Sequence, residues 1–132
     1  MNNFLEQTKN RYNTILNRLH NDIHLFSDTQ MHWKVNTDTW SIAEVLQHII
    51  TADKAYLVPM REALQGADRN SSTVTYRPSF FARLFIYSLK PGRFKYGVPA
   101  VFKPDTSQID ATIRQKFADH LHMQIKELSD WQ

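Results

Sequence analysis

Apolar side chains recur at helical spacing in four separate stretches of this chain. Between residues 4 and 26 the series Leu5, Tyr12, Ile15, Leu16, Leu19, Ile23 and Phe26 falls on one face of a helix. A polar stretch over 27–39, rich in Asp, Asn and Thr, reads as a connector. A second helix is expected over 41–65, burying Ile42, Val45, Leu46, Ile49, Tyr56, Met60 and Leu64. Pro59 predicts a kink near Ala55–Pro59, because proline removes one amide donor and crowds the carbonyl four residues back. Gly66 is its expected stop. Residues 67–78 read as a loop and 80–89 as a short apolar helix. An extended stretch rich in proline and glycine follows over 91–106. A last helix over 107–129 turns Ile109, Ile113, Phe117, Leu121 and Leu128 inward.

Three long striped helices must bury their stripes against one another. The pattern therefore predicts a single all-α domain over 1–132, an up-and-down bundle of three long helices and a short one.

The start of the second helix is the most fully specified local feature. Ser41 and Glu44 have capping-box spacing, with the hydroxyl facing one backbone amide and the carboxylate facing another. Trp40 and Val45 have the spacing of a hydrophobic staple. His48 sits one turn after Glu44, about 110° from the centre of the apolar stripe. Neutral imidazole at that flank can bind a metal or simply hydrogen-bond a carbonyl or water.

Composition narrows the chemistry. The chain is 42% hydrophobic and 22% charged, with a net charge of +3, which is ordinary for a globular domain. Zero cysteines remove disulfides, thiolate metal sites and cysteine nucleophiles together. Three glycines leave no phosphate-binding glycine loop. No Gly-x-Ser-x-Gly elbow is present. No apolar run reaches the roughly 18 residues that span a bilayer, and the N-terminus lacks a signal-peptide pattern, so a cytoplasmic location is expected.

Other candidates sit on the helices. His20 and His24 are four apart on the first helix, but His24 lies about 130° from its core stripe, which favours a solvated pair. His120 falls on the inner face of the last helix with Gln124 one turn on; His122 points outward. A polar side chain on an apolar face needs a partner. Asp53, inside the second stripe, can orient a histidine from behind, or pair with an arginine or a tryptophan nitrogen. From Arg69 to Lys103 there are seven basic residues, eight aromatics and no acidic residue. That segment reads as aromatics packed on the bundle with a solvated basic rim. The rival readings are single-stranded nucleic acid and an anionic membrane surface, and no nucleic-acid motif accompanies it.

The stretch Trp40-Ser41-Ile42-Ala43-Glu44-Val45-Leu46-Gln47-His48 resembles the opening of the second helix in DinB/YfiT-like proteins. There a Trp-Ser-x-x-Glu-x-x-x-His pattern supplies the first of three metal-binding histidines. Tyr56-Leu57 and the segment Val98-Pro99-Ala100-Val101-Phe102-Lys103-Pro104 also resemble that family. The resemblance implies a four-helix bundle holding a divalent metal, nickel or zinc, for transfer to a small thiol or for hydrolysis. It implies His48 as a ligand; the helix faces, not the resemblance, offer His120 as a second candidate with Asp53 behind it.

The family's last helix carries a His-x-x-x-His pair, and this sequence ends at Gln132 without one. Either the short helix 80–89 takes that helix's place, another subunit does, or the chain is a fragment; the chain as given is expected to bind no stoichiometric metal, with His48 facing a polar cleft. Two functions follow from these residues. One is a metal-dependent thiol transferase or hydrolase acting on a small thiol or a small anion. The other is a non-catalytic bundle that binds a partner or itself, as a homodimer, through its aromatic-basic segment 69–104.

Overall fold

A computed structural model describes residues 2–65, 79–88 and 97–130. Every regular element among them is helical and none is a strand. In chain order these are α1 (Asn2–Arg18), a π-helical turn (Leu19–Ile23), α2 (Asp28–His32), α3 (Ile42–Gln65), α4 (Phe80–Ser88) and α5 (Ile113–Asp130), with 3-10 turns at Ala100–Phe102 and Thr106–Gln108. No helix among the described residues is long and apolar enough to cross a membrane.

α1, α3 and α5 pack around a core of Leu19, Met31, Ala43, Leu46, Ile50, Ile113, Phe117 and Leu121. The buried positions of α3 are Ala43, Leu46, Gln47 and Ile50, an i, i+3, i+4, i+7 series. This stripe is rotated from the expected one, which left Ala43 and Gln47 outside. Val45 is instead 40% exposed. Tyr56 and Met60, expected inside, are exposed as well, as is Ile15 on α1. Among the described residues, three long helices cover only part of one another's apolar faces.

Three boundaries differ from the periodicity. α1 stops at Arg18 because the chain widens into the π turn, where the His24 amide bonds the Leu19 carbonyl at 3.0 Å. The expected connector holds α2, whose Ser27/Gln30 box closes in both directions, at 2.8 and 3.2 Å, and whose Met31 is fully buried. α5 starts at Ile113 rather than 107. Asp105 first caps a 3-10 turn through the Ser107 amide at 3.0 Å, and Asp110 then accepts from the Thr112 amide at 2.8 Å. Aspartates that bond their own backbone in this way compete with helix. α3 stays helical through Pro59. The loop expected at 67–78, the stop at Gly66 and the extended stretch 91–96 lie outside the described residues.

Candidate functional site

The start of α3 is built as its residues dictate. The Ser41 amide donates to Glu44 Oε2 at 2.7 Å and the Glu44 amide donates to Ser41 Oγ at 3.2 Å. Lys34 Nζ, from the stretch after α2, adds an ion pair to Glu44 Oε1 at 2.8 Å. Burial pushes the Glu44 carboxyl up, but the bonds from Lys34 and Ser41 together hold it below its ordinary value.

This start fixes His48 at the flank of α3, half-buried. The Trp40 ring lies 4.8 Å from its imidazole. Nδ1 is 2.5 Å from the Phe102 carbonyl oxygen. A carbonyl only accepts, so Nδ1 carries the proton and neutral His48 has its lone pair on Nε2. Phe102 in turn stacks on Tyr56, 5.7 Å between centroids. The turn Ala100–Phe102 is thus docked on α3 by one hydrogen bond and one ring stack.

A second polar cluster lies where α1, α3 and α5 meet. His120 Nε2 is 3.1 Å from Asp53 Oδ2, and Gln124 Nε2 donates to the same oxygen at 2.8 Å. His120 and Gln124 are each only 4% exposed. Two donors converging on one carboxylate oxygen place the His120 proton on Nε2. The 3.0 Å approach between the two nitrogens is then the third side of the triangle, not a bond. His120 Nδ1 and Gln124 Oε1 are buried with no hydrogen-bond partner among the described residues. Tyr12 of α1 lines a cavity of about 110 Å³ together with Asp53 and Gln124. Burial, and then the Asp53 charge, raises its phenol above its ordinary value and keeps it a donor. On the other side His120 lines an open cleft of about 440 Å³ with Gln47, Lys54, Lys116 and Asp119. Arg61 and Glu127 pair between α3 and α5.

No protein-family model, curated protein or solved structure matches this chain. Its residues alone carry the functional reading. Asp53 and His120 form a carboxylate–imidazole pair, the arrangement that orients a base. His48 and His120 are held by different partners, the first by the Phe102 carbonyl and the second by Asp53. Among the described residues no group of three His, Asp or Glu side chains is arranged to hold a metal ion. A histidine-bound catalytic metal needs three protein ligands, so the described residues do not fit such an ion. The pairing of Asp53 with His120 was one of three open to it in the sequence. The contributions of Tyr12 and Lys34 were not foreseen, because each comes from a separate element and has no fixed sequence spacing to its partner.

In the aromatic-basic segment, Phe80, Phe81, Arg83, Phe85, Tyr87, Phe102 and Lys103 are described. Arg69, Tyr76, Arg77, Lys90, Arg93, Phe94, Lys95 and Tyr96 lie outside the described residues. The described aromatics of α4 are exposed, contrary to the expectation that they pack on the bundle. From Phe80 to Tyr87 six large apolar side chains are 40% to 78% exposed.

Proposed function

We propose that this protein is a non-catalytic helical-bundle module that self-associates as a homodimer through its aromatic-basic segment. The exposure of α4 on all sides carries the reading. An all-round apolar helix is stable in water only when covered, and exposed apolar surface beyond a few hundred Å² marks an interface. Charge favours a second copy as the cover. Segment 69–103 holds seven of the sixteen basic residues and none of the thirteen acidic ones. The rest of the chain therefore has nine basic against thirteen acidic residues, so the segment of one protomer complements the bundle of another. Light scattering at tens of micromolar should give a dimer. The variant Phe81→Glu/Phe85→Glu should give a monomer with unchanged helicity. A wild-type monomer under those conditions would sink the reading.

A second reading rests on the DinB-like resemblance: a cytoplasmic, divalent-metal-dependent transferase or hydrolase. Two ring nitrogens are open to it, one fewer than the three protein ligands such an ion needs. His48 Nε2 and His120 Nδ1 are left as lone pairs by the bonds on their opposite nitrogens, the way outer-shell groups orient metal-binding histidines. Elemental analysis decides: one nickel or zinc per chain, lost in His48→Ala, would establish it over the binding module.

A further inference from the structure

The face of the bundle away from Asp53 holds a constellation that the sequence spacing did not connect. The π turn brings His20 and His24 into a near-parallel stack, with ring centroids 5.6 Å apart and planes at 14°. His122, on the outer side of α5, faces the same cavity of about 340 Å³, as do Arg114, Gln115 and Asn17. The remaining lining is apolar and no carboxylate belongs to it. Arg114 reaches across the gap, donating to the Phe26 carbonyl. Its Nε is buried with no partner among the described residues. Two carboxylates outside the cavity pair with its lining residues: Asp28 lies 3.8 Å from Arg114 Nη1, and Asp119 accepts from Gln115 at 2.7 Å. Asp22, within the π turn, faces Arg18 at 3.4 Å.

We propose that this cavity is a binding site for the phosphate group of a small molecule. Three imidazoles and a guanidinium supply donors, and the guanidinium is charged at any accessible pH. Protonated imidazole donates from both nitrogens, and charge-assisted bonds to phosphate are about twice as strong as neutral ones. The volume suits a small ligand. A metal is the poorer occupant, because near-parallel rings do not aim their in-plane lone pairs at one point. The site is independent of α4 and of His48, so it stands whether or not the chain dimerises.

Histidine-ring NMR on the full chain, titrated with inorganic phosphate at constant ionic strength and with chloride as control, tests it. Saturable shifts are expected at His20, His24 and His122, and not at His32, which lies outside the cavity. The double variant His20→Gln/His122→Gln should lose about tenfold or more with its helicity unchanged. His24→Gln, a single exposed replacement, should lose part of that and serves if the double variant does not fold. Absence of saturable shifts at tens of millimolar phosphate overturns the proposal. So do equal shifts with chloride, or undiminished binding in the variants.

Discussion

The first half of α3 and the whole of α4 are both apolar helical sequence, yet they end in opposite environments. Ile42–Asp53 buries one stripe, Ala43, Leu46, Gln47 and Ile50, packs Ile42 and Ile49 at its edge and exposes Val45. α4, Phe-Phe-Ala-Arg-Leu-Phe-Ile-Tyr-Ser, is apolar at seven of nine positions, with only Arg83 and Ser88 polar. A stripe tells a helix which of its faces to lay against its own chain. A helix apolar nearly all round has no such instruction, and α4 lies exposed. Burying one large apolar side chain is worth about 1.5–3 kcal/mol, and α4 exposes six.

The contrast is broken most sharply by matched truncations of one residue type. Phe117 of α5 is 4% exposed and Phe81 of α4 is 78% exposed. Phe117→Ala should destabilise the monomeric fold by about 3–5 kcal/mol, through lost transfer energy and a cavity. Phe81→Ala should stay within about 0.5 kcal/mol and weaken self-association instead. Urea denaturation at concentrations below dimerisation separates the two. Equal destabilisation would mean that α4 packs on its own bundle.

A smaller effect is expected at the buried polar junction. Asp53→Ala leaves the His120 Nε2 proton and a Gln124 amide proton without their acceptor, deep between α3 and α5. A buried donor without a partner costs about 1–3 kcal/mol, so the loss should fall in that range. Asp53→Asn, which keeps an acceptor oxygen, should recover part of it. Chemical denaturation of both variants checks this, and indifference to either would show that the triangle is not formed in solution.

The fold was more legible in the sequence than the site. The long helices, α4 and the Ser41 start follow from period and capping chemistry, both local. His120 and Gln124 were readable as buried and in need of a partner, because a polar pair one turn apart sat on an apolar face. Their choice of Asp53 was not, because the sequence offered it an arginine or a tryptophan equally. The stripe of α3 was misplaced by one position because Ala43 and Gln47 are weakly apolar or polar, and only the packing of Met31 and α5 selects them. His122 looked solvent-facing and unrelated to His20 and His24. The π turn, which no periodicity announces, helps bring all three to one cavity. α2 was the avoidable miss, since Ser27-Asp28-Thr29-Gln30 has the same box spacing as Ser41–Glu44.

The smallest expected effect tests the one element whose start the sequence specified in full. Ser41 is 2% exposed and satisfies one end amide of α3, while Glu44 satisfies the other and holds Lys34. Ser41→Ala should cost about 0.5–2 kcal/mol, read as a lower denaturation midpoint. The carboxylate adds a pH dependence of fixed sign. The folded Glu44 carboxyl titrates below its ordinary 4.5, so its stabilisation is complete above that value and drains away as pH falls through the folded one. Glu44→Gln should therefore be less stable than wild type near neutral pH, and the gap should narrow steadily as the solution is acidified below about pH 4.5. A gap that stays constant down to about pH 3 would mean that the ionised carboxylate is not what holds Lys34 and the Ser41 amide at the helix start.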